Sequence, residues 1–310
     1  MDVYSIGEMV IDFLPGAESG SYIRNAGGAP ANVAIAVARN GLSAGFCGKL
    51  GNDDFGRFLE RTLTDNEVRV LCPKMTDEAV TTLAFVTLQP NGERSFTFAR
   101  KPGADMLLHA SEVREEDIDD SRIIHAGSCS LSKGDEVEAT LRALRLAHER
   151  KKWVSFDVNY RSLLWDGDER AAVLGVESAL PYVDFLKISE EEVCMVGGED
   201  QIPAVMEKFG ICLVVETLGS KGARCWYGDE IRYERCPDVA AVDTTGAGDA
   251  FWGAFLSGLL IRGLRPAVAP DDAMIEAALR EGNVAGALSV QKKGALSSLP
   301  TRAEIEEFFV

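Results

Sequence analysis

The sequence predicts a three-layer α/β/α domain on a mainly parallel central sheet, with a small β lid added near the N-terminus. Two observations predict it. Short apolar runs alternate with helix-period segments along most of the chain, and two β-rich stretches in the first hundred residues break that rhythm. Short apolar runs bounded by turn residues read as strands buried on both faces. Strands that alternate with helices form right-handed βαβ units, which make a parallel sheet covered on both sides.

In chain order, residues 3–6, 45–47, 123–125, 153–156, 185–188 and 212–215 read as the buried strands. Residues 31–39, 55–63, 171–180, 251–261 and 273–288 read as helices. Val137, Leu141, Leu144 and His148, spaced 4, 3 and 4 apart, mark one face of another. The first irregular stretch, residues 9–24, is strand-like with a turn at Pro15-Gly16. The second, TTLAFVTLQPNGERSFTFAR at 81–100, holds two β-rich runs joined by Pro90-Asn91-Gly92. Asn-Gly between such runs signals a hairpin. An antiparallel hairpin does not join a parallel sheet, so it forms a separate small one, an appendage suited to cover a site. Its apolar residues Phe85, Val86, Phe96 and Phe98 read as a single face. No repeat, low-complexity tract or linker is visible. The expectation is one domain over 1–310, with lid segments at about 10–24 and 80–102.

Composition removes several classes. The 310 residues carry 32 Lys+Arg against 49 Asp+Glu, a net charge of −17. That balance argues against a protein that grips nucleic-acid phosphates by bulk charge. Hydrophobic residues at 46% and charged residues at 26% exclude a largely disordered chain. Seven cysteines, with no C-x-x-C, suggest neither a disulfide scaffold nor a zinc ribbon. The acidic N-terminus is unlike a signal peptide, and no apolar run reaches the length of a membrane span. A cytoplasmic protein is expected. His109, His125 and His148 show no ligand spacing and read as structural, and no metal is called for by them.

The chemistry concentrates in two segments. Asp243-Thr244-Thr245-Gly246-Ala247-Gly248-Asp249 leads directly into a helical run from Ala250. A glycine turn at a helix start aims free N–H groups and the positive dipole end at an anion. Asp249 at that mouth has two readings: a helix cap, or a base taking a proton from a hydroxyl while the amides hold a phosphoryl group. Gly27-Gly28-Ala29-Pro30-Ala31-Asn32 opens an earlier helix. Its small residues permit either close ligand approach or tight helix–sheet packing, and Asn32 offers donors and an acceptor. The turn at 50–56 is rich in Asn and Asp and reads as a structural cap. A Walker A loop is missing, because Gly48-Lys49 is followed by Leu50. The first strand lacks a following G-x-G-x-x-G, which disfavours an NAD-dependent oxidoreductase.

Taken together, the di-glycine turn and D-T-T-G-A-G-D, roughly 215 positions apart, resemble the two signatures of the ribokinase-like (PfkB) carbohydrate kinases. The resemblance runs from SIGEMVID to Lys293-Gly294-Ala295 and includes GERSFTF and PGAD, between Gly92 and Asp105. FARKPGADMLL, FDVNYRSLLW and LKISEEEV are most similar to fructokinases, with aminoimidazole riboside kinases and 2-keto-3-deoxygluconate kinases next.

The resemblance implies a ribokinase-like fold and transfer of the ATP γ-phosphoryl to a primary sugar hydroxyl, with Mg²⁺. Asp249 then matches the catalytic base, and the amides of Gly246, Ala247 and Gly248 its anion hole. Asp12, Gly28 and Asn32 match sugar contacts, and Arg161 and Arg100 match arginines of the fructokinase branch, although both also read as surface charges. Lys187 matches a further phosphate-side cation. Thr217, Gly219 and Gly222 match a T-x-G-x-x-G turn along the nucleotide, and Asn283 an adenine-side residue. Glu192 matches the glutamate of an N-x-x-E motif tied to Mg²⁺, with Ser189 in place of the asparagine. Glu190 and Glu191 beside it read equally as partners of a helix dipole. Asp243, Thr245, Ser289, Lys292, Gly294 and Ser298 match a monovalent-cation site that takes K⁺, partly through carbonyls. The implied partners are a small sugar, ATP and a second copy of the chain joined through the lid. A non-catalytic sugar or nucleotide sensor on the same fold is the reading from another class, and the retained Asp249 weighs against it.

Overall fold

Among the described residues, thirteen strands fall into two sheets. They are β1 (Val3–Ile6), β2 (Val10–Pro15), β3 (Tyr22–Gly27), β4 (Ala44–Cys47), β5 (Arg69–Val70), β6 (Leu83–Leu88), β7 (Arg94–Ala99), β8 (Ile123–Gly127), β9 (Trp153–Asp157), β10 (Phe185–Ser189), β11 (Leu213–Thr217), β12 (Ala223–Tyr227) and β13 (Glu230–Glu234). The structure is a computed structural model that describes residues 1–16, 18, 20–88 and 94–309. The main sheet has the order β13-β12-β11-β10-β9-β8-β1-β4-β5, parallel from β5 to β11. From β1 the chain builds first toward β4 and β5, then returns to place β8 and its successors on the opposite side. That reversal is where open α/β sheets hold ligands.

Strand alternation explains the layers. Val3, Ile123, Phe185 and Leu213 enter one core, with helices α1 (Ala29–Arg39) and α2 (Asp54–Asp65). Their neighbours Tyr4, Ile124, Leu186 and Val214 enter the core on the other face. That second core holds α4 (Glu136–Glu149), α5 (Glu169–Ala179) and α6 (Ile202–Phe209), while the short α3 (Glu115–Asp119) contributes Ile118. The first core also takes α7 (Ala247–Ile261) and α8 (Asp272–Ser289), followed by the short α9 (Ala295–Ser298) and α10 (Arg302–Glu307). Side chains of adjacent strand residues point to opposite faces, so two covered faces demand unbroken apolar runs. Helix α7 is buried from Asp249 to Leu260, packed between α1 and α8. Gly253 allows that approach, because a Cβ there would stand 2.4 Å from Ala36 Cβ. Among the described residues no helix is long and apolar enough to cross a membrane.

The second sheet has the order β3-β2-β6-β7, with β2 antiparallel to β3, parallel to β6, and β6 antiparallel to β7. Both irregular stretches of the sequence are in it, although the first strand pair runs on to Gly27. The Pro90-Asn91-Gly92 turn lies outside the described residues. Register corrects one expectation: Phe85, Val86, Phe96 and Phe98 do not share a face. Phe98 is opposite Ala84, and Phe96 opposite Val86, whereas Phe85 lies beside Phe13 and stacks on it at 4.9 Å. Neighbours in a strand cannot share a face, so Phe85 packs toward α2 while Phe98 and Asp12 face the cavity described below. The 50–56 turn is structural as read: Asp53 caps α2 through Gly56 N–H at 2.7 Å and also accepts from Thr81 N–H at 2.8 Å. The antiparallel hairpin β12–β13, closing one edge of the main sheet, was absent from the sequence reading. Its signal is Gly228-Asp229, a turn pair with Gly228 at φ 58°, between two β-rich runs.

Candidate active site

The carboxyl ends of β1, β9, β10 and β11, the start of α7 and the cavity-facing side of the small sheet enclose one cavity of about 990 Å³. Asp249, Gly246, Gly248, Asp12, Gly28, Asn32, Arg100, Arg161, Lys187, Glu192, Thr217, Gly219 and Thr245 all line it. These residues are scattered over most of the chain, and the parallel topology collects them.

Helix α7 begins at Gly246, whose φ of 78° is the left-handed conformation that glycine tolerates. A Cβ there would stand 2.9 Å from the Ala295 backbone. Asp249 sits in the first turn, buried, and its Oδ2 accepts from Asn32 Nδ2 at 2.7 Å. Burial lifts its carboxyl to about 6, opposed by the Asn32 hydrogen bond. The helix-cap reading fails, since no side chain caps α7. One expectation is modified here. The Ala247 N–H donates to Thr244 O at 3.2 Å, and Ala247 does not line the cavity. Gly246 and Gly248 are the members of the turn that do.

Beside the turn, Lys187 Nζ donates to both oxygens of Asp157, at 3.0 and 2.8 Å, all of it buried. Burial works against the ammonium, but Asp157 and Glu192 outweigh it and hold its pKa raised. Glu192 accepts from Tyr160 N–H at 2.7 Å and Ser189 N–H at 2.9 Å, so both carboxylate oxygens are held by backbone. Burial, then Asp157, raises its pKa. Arg161 is exposed, and its charge reaches both Asp12 and Asp249. Asp12 is pushed to about 6 by burial against the pull of Arg161. Gly27 makes room for it, as a Cβ there would stand 2.1 Å from Asp12 Oδ2.

Arg100 is buried rather than a surface charge. Its Nε donates to Asp105 Oδ2 at 2.7 Å, Nη1 to Ser132 Oγ at 3.2 Å and Nη2 to Glu136 Oε2 at 3.4 Å. Thr82 Oγ1 donates to the other Asp105 oxygen. Of these partners the sequence reading had singled out none, nor Asp157 or Glu8, which also line or back the cavity. A charged residue at the end of a buried strand or just past it, as at Asp157 and Glu8, is the signal that would have found them.

Other expected residues lie outside the lining. Gly222, at φ 115°, packs against Glu234 O, and Asn283 Nδ2 donates to the same carbonyl at 2.9 Å. Asp243 joins two loops: Oδ1 accepts from Thr245 N–H at 3.0 Å and Oδ2 from Gly294 N–H at 3.0 Å. Ser289 and Ser298 donate to Gly286 O and Ala295 O within their own helices, and Lys292 pairs with Glu304 at 2.9 Å. Trp165 is in the core, and Leu163 and Leu164 line the cavity. His125 is structural as read: buried, held by Ser155 Oγ at 3.0 Å, its pKa pulled down to about 4 by burial.

Comparison with known proteins agrees with this geometry. The family model described as pfkB family carbohydrate kinase matches residues 1–302. Fructokinase-1 of Oryza sativa subsp. japonica is 41% identical over 313 residues, covering 98% of this chain and 96% of that one. A fructokinase of Xylella fastidiosa, solved with bound ATP, superposes with a TM-score of 0.89 at 30% identity, covering 99% of this chain and 98% of that one. A fructokinase double mutant of Vibrio cholerae, solved with fructose, ADP and potassium, gives 0.88 at 34% identity over 100% of this chain and 98% of that one. A match over nearly the whole length, with both glycine turns meeting at one cavity, makes this chain a member of the pfkB family of carbohydrate kinases.

Proposed function

We propose that the chain is an ATP-dependent fructokinase that converts D-fructose to fructose 6-phosphate in the cytoplasm. The observation that carries this reading is Asp249: a buried carboxylate, oriented by Asn32, at the N-terminus of a buried helix and in the same cavity as Asp12. The fructokinase relatives on both the sequence and the structure side supply the sugar.

In this reading Asp12, Gly28, Asn32 and Arg161 hold the sugar with its primary hydroxyl toward Asp249. The hydroxyl proton passes to Asp249 as the oxygen attacks the γ-phosphorus and the bond to ADP breaks. A base lifted to about 6 is ionised at pH 7 yet close enough in pKa to accept the proton. Gly246 and Gly248, at the positive end of the α7 dipole, face the charge spread over the transferring phosphoryl. Lys187 and Arg161 add positive charge in an acidic protein. The Thr217–Gly222 turn and Asn283 lie on the nucleotide side.

Among the described residues no three His, Cys, Asp or Glu side chains form a metal cage. Mg²⁺ fits such a site, because it keeps several waters and rides on substrate phosphates. Asp157 and Glu192 would hold it through water, since Lys187 engages both oxygens of Asp157 and backbone N–H groups both oxygens of Glu192. Bound there, Mg²⁺ neutralises phosphate charge. For K⁺, the side chains of Asp243, Ser289 and Ser298 are engaged internally, so the reading rests on backbone carbonyls of the 243–245 and 289–298 segments. Lys292 can offer only its carbonyl, because an ammonium does not ligate a cation.

The small sheet acts as the lid, shedding water from the closed site. Tyr22 and Ile23 on its edge strand are 46% and 57% exposed, and a second copy of the chain is the partner that would cover them. Sedimentation should show a dimer, and a concentration-independent monomer mass would refute it. The function itself is tested by ADP release with Mg·ATP against fructose, ribose, 2-keto-3-deoxygluconate and aminoimidazole riboside. Preferred turnover of fructose is expected. Tight sugar binding without turnover on any of them would replace the kinase reading with a sensor.

A further inference from the structure

We propose that Glu8 is a specificity-determining residue of the sugar site: its carboxylate accepts a hydrogen bond from a hydroxyl of a neutral sugar and turns away sugars that carry a carboxylate. The proposal rests on the sugar-kinase reading above and adds a residue to it.

Glu8 follows β1 and lines the cavity at its Arg100 side, 5% exposed. Its Oε1 accepts from Ala29 N–H at 3.3 Å, whereas Oε2 is buried and has no partner among the described residues. A buried carboxylate oxygen without a donor is costly. The position makes sense if a ligand brings the donor, and a polyol is made of them. The groups facing the Glu8 carboxyl are its own backbone N–H, the Ala29 N–H, Arg100, Asp105, Glu136 and the Cys129 thiol, with Asp12 in the same cavity.

That environment also bears on charge. Arg100 is the cation beside Glu8, and Asp105 and Glu136 already engage it. Glu8 adds a third carboxyl around one guanidinium. An incoming carboxylate therefore meets a matched arginine and an unmatched glutamate. Burial pushes the Glu8 carboxyl to about 7, against the pull of Arg100 and backbone N–H groups. Above that pH it accepts a hydrogen bond; below it, the proton occupies the site.

Wild type and Glu8→Gln are compared on D-fructose and on 2-keto-3-deoxygluconate, with kcat and KM measured from about pH 5.5 to 8.5. The variant should raise KM for fructose about tenfold with kcat within about twofold, as loss of one charged hydrogen bond predicts. Its preference for fructose over the acid sugar should shrink by a similar factor. In wild type, KM for fructose should rise below about pH 7, and the variant should lose that rise while keeping the limb near pH 6. A merely structural glutamate would lower stability without moving the pH profile. Unchanged KM and pH profile in the variant overturn the proposal. Calorimetric titration of wild type with fructose at pH 6 and pH 8 needs no variant, and equal affinities overturn it too. Wild-type turnover of fructose separates the two ideas: its absence removes the fructokinase reading, whereas its presence with an indifferent Glu8→Gln removes only this one.

Discussion

Two buried charge clusters border the same cavity, and their carboxylates are held to different degrees. Around the α7 turn every carboxylate is held, Asp157 twice by Lys187, Glu192 by two backbone N–H groups and Asp249 by Asn32, although Asn32 Oδ1 itself has no partner among the described residues. On the sugar side, Arg100 joins Asp105 and Glu136, yet Glu8 Oε2 and Glu136 Oε1 have no partner among the described residues. The first cluster stands on the ends of main-sheet strands and the first turns of α7 and α1. The second spans the small sheet, the segment after it and α4. In the reading proposed above, the contrast teaches that the carboxylates assigned to phosphoryl transfer are held in advance, whereas carboxylate oxygens on the side assigned to the sugar are left with unmet hydrogen-bonding capacity.

The sharpest way to break this contrast is Asp249→Asn. Turnover should fall by roughly 10²–10⁴ with KM for sugar little changed, because the base is lost and its shape kept. Normal turnover at saturation with weakened sugar binding would reassign Asp249 to the sugar. Next in size is Lys187→Met, which strands Asp157 as an uncompensated buried charge. Breaking one side of such a pair costs roughly 3–5 kcal/mol. Urea unfolding should report that loss, and a neutral result would mean that Asp157 is hydrated and the cluster less closed than its distances suggest. Smaller again is Asn32→Ala. The Asn32 bond favours ionised Asp249, so its removal raises that pKa and moves the acid limb of kcat/KM to higher pH. Activity at pH 6 should drop roughly tenfold, more than at pH 8, where the carboxyl is ionised with or without its partner. An equal loss at both pH values would show that Asn32 acts only by positioning.

The phosphoryl side was the legible one. D-T-T-G-A-G-D announces a glycine turn, a helix start and an acid in a single stretch, and the fold sets them down in that order. The buried strands were legible for the same local reason: a sheet covered on both faces leaves runs such as Phe185–Ser189 almost without polar interruption. What stayed hidden depends on partners distant in sequence. Arg100 looks like any basic residue of a hairpin until Glu136 is seen to meet it from 36 residues away. Lys187 and Asp157 are 30 residues apart and are brought together by neighbouring strands in register. Phe85 and Val86 misled because composition marks a segment as apolar without saying which face each residue takes. Register decides that, and it puts Phe85 beside Phe13 across the sheet.

Helix α7 carries one more consequence. Its circumference is enclosed from Asp249 to Leu260, so the proposed base is mounted on a helix with no solvent-facing side, the kind of element that opens only with the core. A side chain so placed has no private route to disorder. Loss of catalytic competence on heating should coincide with cooperative melting of the whole core, with no earlier fading of activity from a softened base.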